Sequence, residues 1–283
     1  MRAISSTGGW IAGVALVALL AAPGPAGAQT PRTLVEFGAP VYPAYEGWYE
    51  NPDGTITLLA GYFNGNTEEV VDVPVGENNY LEPGSADQGQ PTRFAPGRAW
   101  GVFTIRIPGD DRNARITWHL TANGETTSIP FHLDPQWIIE PLRDAANGNE
   151  PPTIRFDSGG EGFTGPPIGI AREMTATAGA PLDLAVWTTD VKPEVEVRPF
   201  AARRRRPALI LRWHVLRGPG EVEFAEPVQE FEESSDQNPT TTATFTEPGE
   251  YILRVEALDE TGDGGSGFQC CWTSAHVRVT VSE

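Results

Sequence analysis

Two runs decide the fold class: Trp213-His214-Val215-Leu216-Arg217-Gly218-Pro219-Gly220-Glu221-Val222-Glu223-Phe224, and Thr242-Ala243-Thr244-Phe245-Thr246-Glu247-Pro248-Gly249-Glu250-Tyr251. In each, a short alternating segment meets a Gly/Pro turn and a second alternating segment follows, a period of two that suits a strand with one buried face. Outward from these runs the pattern repeats. Leu182 to Trp187, Leu209 to Val215, Glu250 to Val255 and His276 to Val281 read as strands on the C-terminal side. Thr55 to Leu59, Val70 to Val73, Val102 to Ile107 and Arg115 to Leu120 read the same way on the N-terminal side, divided by turn clusters such as Asn51-Pro52-Asp53-Gly54 and Asn123-Gly124. The best helical stretch, Trp137 to Ala146, is broken by Pro141. The expected fold is all-β, built as two antiparallel β-sandwich domains.

The W-x-x-x-x-G-P-G-x-V-x-F run at 213–224, the T-x-T-F-x-x-P-G-x-Y run at 242–251 and the closing valine-rich strand resemble the immunoglobulin-like PKD modules of bacterial surface proteins. The resemblance covers roughly residues 150 to 283; it implies an immunoglobulin-like sandwich there and names no ligand. Tyr251, just after the Pro248-Gly249 turn, stands where a corner tyrosine would bond back to the loop before it. The chain is also similar to a group of secreted bacterial proteins with such a C-terminal domain. Gly61 to Thr67, Glu82 to Gly84, Gln90 to Phe94, Gly101 to Thr104 and Gly267 to Thr273 carry that similarity, which implies an envelope setting without a mechanism. The segment from Glu194 to Pro207, with Arg203, Arg204, Arg205 and Arg206, departs from it.

Arg2, the apolar run from Ile11 to Ala22 and the small residues Ala26-Gly27-Ala28 form a secretory signal peptide, expected to be cut after Ala28. The apolar run is too short to span a bilayer, and no transmembrane segment is expected in the mature chain. Residues 147–169, dense in Gly and Pro, read as a linker or irregular leading strand between domains at 29–146 and 170–283. The formal net charge of −18 excludes a generic nucleic-acid binder, which needs a surplus of Lys and Arg against phosphate. The protein is therefore expected to be exported, periplasmic or extracellular, with an envelope protein or polysaccharide as partner.

Cys270 and Cys271 are the only cysteines and are neighbours. Consecutive trans-linked Cα atoms lie about 3.8 Å apart, closer than the roughly 4.4–6.8 Å of ordinary disulfides, so a bond between them needs a distorted peptide. An oxidising compartment allows that vicinal bond, a bond to another chain, or inert or metal-binding thiols. With His276 the pair has the donor types for a soft metal, and Asp259 with Asp263 forms an acidic loop with oxygen donors for calcium, outside the usual calcium-loop pattern. G-x-S-x-G and H-E-x-x-H are absent, and the four histidines sit in or beside strand patterns. Tyr45, Trp48, Tyr49 and Trp272 are the candidate aromatics for a glycan or extended peptide, and Arg203 to Arg206 form the candidate partner-binding loop. These residues lead to a non-catalytic binding or structural module of the envelope with no cofactor. The alternatives are a carbohydrate-binding protein using exposed aromatics, and a metal-binding or redox protein using the vicinal cysteines.

Overall fold

The structure is a computed structural model, described here over residues 35–144, 148–191, 207–262 and 270–283. The signal peptide, Arg203 to Arg206 and Asp263 lie outside the described residues. The first half is built from β1 (Val41–Glu50), β2 (Ile56–Asn64), β3 (Val71–Asp72), β4 (Asn79–Glu82), β5 (Arg93–Phe94), β6 (Gly97–Ile107), β7 (Ile116–Ala122) and β8 (Glu125–Phe131). They form a β1-β2-β6 sheet, a β4-β7-β8 sheet and a β3-β5 ribbon, with every pair antiparallel. Alternation in Ile116 to Ala122 sets the buried face: Ile116, Trp118, Leu120 and Ala122 are buried while Thr117, His119 and Thr121 are half-exposed. The buried set packs with Leu58, Ala60, Phe103, Ile105 and Phe131 into the first core, where Trp118 meets Phe103 edge-on at 5.1 Å.

Beyond a single 3₁₀ turn at Pro135–Trp137, the second half contains β9 (Thr153–Arg155), β10 (Arg172–Thr177), β11 (Pro181–Ala185), β12 (Trp187–Thr189), β13 (Leu209–Arg217), β14 (Val222–Phe224), β15 (Val228–Phe231), β16 (Thr240–Phe245), β17 (Gly249–Asp259) and β18 (Trp272–Ser282). A five-stranded sheet, β10-β18-β17-β13-β15, and a three-stranded sheet, β11-β16-β14, contribute to one core that includes Leu184, Trp213, Phe245, Tyr251, Val255 and Val277. Every pair in these two sheets is antiparallel except β10–β18. A first strand that joins the last in parallel, beside a sheet carrying the central hairpin, gives the immunoglobulin-like layout. Tyr251 is buried at the start of β17 and donates its hydroxyl to the Glu247 carbonyl at 2.8 Å, closing the corner expected from the sequence.

No α-helix occurs among the described residues. The stretch from Trp137 that came nearest to a helix turns extended instead: Ile138 has φ −67° and ψ 130°, and its neighbour Ile139 donates its N–H to the Trp48 carbonyl on the edge of β1. Within the Gly/Pro-rich stretch 147–169, β9 pairs with β12 and Ile154 bridges Phe163.

Candidate functional site

Residues from the two cores meet at an irregularity in the β2–β6 ladder. Ala60 opposes Phe103 and Tyr62 opposes Ala99, so Trp100, Gly101 and Val102 together face Gly61 alone. Such a bulge takes backbone groups out of the ladder, and those groups need other partners. Side chains supply them. The Gly101 N–H donates to Glu46 Oε2 at 2.8 Å, Arg254 Nη2 donates to the Trp100 carbonyl at 2.7 Å, and His276 Nε2 donates to the Val102 carbonyl at 2.9 Å. The last contact fixes the His276 tautomer, because a carbonyl can only accept.

The same place has no room for a side chain on either glycine. Gly101 sits at φ +54°, and a Cβ there would lie 1.8 Å from the Trp272 ring. A Cβ on Gly61 would lie 2.2 Å from the Ala99 carbonyl and 2.3 Å from Glu46 Oε1. Trp272 is 1% exposed and joins Leu59, Ile210 and Leu258 in a small third cluster that bridges the two halves.

Charge is buried with this cluster. Arg254, 3% exposed, donates to Glu256 Oε1 at 2.6 Å and to Ser274 Oγ at 3.0 Å, and Arg98 pairs with Glu46 at 2.5 Å while lying 3.8 Å over the Trp100 ring. Burial pushes the Glu256 carboxyl up, but Arg254, with His214 and Arg212, outweighs it and holds the group at about 2. Burial raises Glu46 above the usual carboxylate range against the pull of Arg98 and the Gly101 N–H. Burial, reinforced by Arg254, lowers His276 to about 4. Around this centre Arg217 grips Asp87 through both terminal nitrogens at 2.9 and 2.8 Å, the Thr92 N–H donates to the Leu216 carbonyl, and Thr104 Oγ1 donates to the Pro167 carbonyl. Gly61, Gln90 to Phe94, Gly101 to Thr104 and Trp272, all in segments quoted above for the secreted-protein similarity, therefore lie at or beside one junction.

The aromatics expected as an open platform are a correction. Tyr45, Trp48, Tyr49 and Trp272 are buried, at 5%, 6%, 8% and 1% exposure. Tyr45 stacks on Phe131 at 4.9 Å and donates to the His132 carbonyl, Trp48 donates its indole N–H to the Asp134 carbonyl, and Trp272 lies against Gly101. Tyr45, Trp48 and Trp272 belong to the apolar clusters, and none of the four stands exposed on the surface.

What Trp48 and Tyr49 do line is a groove of about 650 Å³, with Ile138, Ile139, Pro141 and Leu142 opposite and Glu50, Glu140 and Arg143 as its charged groups. Ile138 is 54% exposed and Leu142 44%, so the apolar side chains of this segment stand open to solvent. The apolar run at 137–142 was the signal for them in the sequence, masked by its resemblance to a broken helix.

Asp259 is 1% exposed and accepts from Asn149 and from the Thr261 backbone and hydroxyl, so its carboxylate is spent within the fold. No group of three His, Cys, Asp or Glu able to hold a metal occurs among the described residues. Cys270 and Cys271 are buried, placed as a vicinal disulfide with Cα atoms 3.1 Å apart, and both sulfurs approach the Asn149 carbonyl. On the outer face of β4-β7-β8, Ser128 Oγ lies 2.7 Å from His119 Nδ1, and His119 Nε2 lies 3.2 Å from Glu82. This is the order of a nucleophile, base and orienting acid. The three stand on neighbouring strands of one sheet, outside the two grooves of the structure that are described.

No family model matches the chain, and no curated protein matches it. Among solved structures, the D00-D0 domain of Intimin is similar at 10% identity and a TM-score of 0.27, over 86% of this chain and 100% of that one. The D0-D1 domain of Intimin is similar at 12% identity and a TM-score of 0.22, over 85% and 94%. Likeness at these scores supports no statement about fold or function, and the architecture above rests on the strands and their pairing.

Proposed function

We propose that the chain is a non-catalytic, exported binding or structural module of the cell envelope, with an envelope protein or polysaccharide as its partner. The domains are 29–146 and 170–283, joined through 147–169. The observation that supports this reading most is the groove beside Trp48 and Tyr49, where exposed Ile138 and Leu142 line one cavity with two buried aromatics. The buried ions support a structural role too, since Glu46, Arg254, Glu256 and His276 are all spent on holding backbone and one another. No helix among the described residues is long and apolar enough to cross a membrane.

Sedimentation of the purified protein with isolated bacterial envelopes tests the reading. The wild type is expected to co-sediment, and the Ile138→Asp, Leu142→Asp double variant to lose at least tenfold in retention. Failure of the wild type to bind, or full retention by a folded double variant, overturns it.

A further inference from the structure

At the junction, each carboxylate is paired with an arginine, Asp87 with Arg217 among them. Glu46, on β1, receives Arg98 from β6 and the Gly101 N–H. Glu256, on β17, receives Arg254 from the same strand, with Arg212 at 4.0 Å and His214 at 3.7 Å, both from β13. The charged and titratable groups around His276 on β18 are then Arg254 from β17 and Arg217 from β13, with Tyr62 of β2 facing the same Arg254. His276 itself is 8% exposed, and its one described hydrogen bond goes to the Val102 carbonyl in the bulge. A second proton on this ring adds a cation beside Arg254 and Arg217, whose guanidiniums already occupy Glu256 and Asp87.

We propose that the junction is an acid-released latch, in which protonation of His276 parts the β6 bulge from β17 and β18 while each sandwich keeps its own core. The two cores make this possible. The first draws on β1 to β8, with Leu216 and a half-buried Ile252 from the other half packed on it, and the second is built wholly from 154 onward. What crosses between them near His276 is mainly the Leu59, Ile210, Leu258 and Trp272 cluster and the polar network.

The sign is set by proton linkage. His276 is neutral in the closed junction and takes up its proton more readily once exposed, so the closed form loses ground as pH falls from about 6.5 to about 4, by close to tenfold per pH unit. Glu46 acts in the opposite sense, because burial raises its carboxyl and a proton there favours the closed form. Replacing each separately therefore distinguishes them.

Hydrogen exchange on the whole protein tests the proposal, read as protection relative to each amide's intrinsic rate. Between pH 7 and 4.5, protection at Gly101 and Thr92, whose N–H groups point to Glu46 and the Leu216 carbonyl, is expected to fall at least tenfold more than at Trp118 and Val255 in the two cores. In His276→Gln, which keeps a neutral donor, that extra fall is expected to vanish, while Glu46→Gln is expected to retain it. Equal loss at junction and cores, or an unchanged extra fall in His276→Gln, overturns the proposal. Should His276→Gln not fold, the ring nitrogens of His276 in the wild type decide by NMR. The proposal requires them to protonate only as Gly101 loses protection, and titration near 6.5 with Gly101 still protected refutes it.

Discussion

At Gly101 three demands coincide: a positive φ, contact with the Trp272 ring and a backbone donor aimed at Glu46. Alanine meets none of the first two without displacing the indole or straining the backbone, so Gly101→Ala is expected to cost about 3 kcal/mol in urea unfolding. Tyr251→Phe removes only the hydroxyl that reaches Glu247 and is expected to cost about 1 kcal/mol. His276, lowered to about 4, contributes stability that is complete above pH 6.5 and lost as pH falls toward 4, on the order of 3 kcal/mol. Glu256, lowered to about 2, contributes stability that is complete above pH 4.5 and lost as pH falls toward 2. Stability against pH should therefore decline in two stages, the first absent in His276→Gln. The sequence places His276 in a strand pattern and Gly101 just before one. It does not show that they touch, because Glu46, Gly101, Arg254 and His276 are brought together by pairings across as many as 230 positions (His276 to Glu46).

At the scale of elements the strands were the most legible part. Alternation in Arg115 to Leu120 and in His276 to Val281 anticipates β7 and β18, because each has one face on a core and the other toward water or a partner. Trp118→Ala, which empties a fully buried indole site in β7, is expected to cost about 3–5 kcal/mol by denaturant titration. Aromatic residues were less legible, since sequence alone does not tell a ring that closes a core from one that waits for a ligand. Tyr45 and Trp48 belong to the first kind, and their polar tips reach backbone carbonyls at 2.6 and 3.1 Å. The groove segment at 138–142 was hidden for the opposite reason, since Ile138 and Ile139 keep apolar side chains on a chain that runs beside the edge of β1 rather than winding into a helix.

For the whole molecule, the described residues gather into one compact unit that holds two separate cores. The pairing order of sheets, such as β4-β7-β8 beside β1-β2-β6, could not be read from period-two segments, because alternation fixes which face is buried and not which strand lies alongside. At neutral pH the bulge at Trp100–Val102, with Arg254, His276 and Trp272 upon it, joins the two sandwiches. Scanning calorimetry of the wild type beside Gly101→Ala at pH 7 tests it most directly. The wild type is expected to unfold in one transition whose calorimetric and van't Hoff enthalpies agree, and Gly101→Ala to split it into two. Two independent transitions already present in the wild type, neither moved by Gly101→Ala, would contradict the claim.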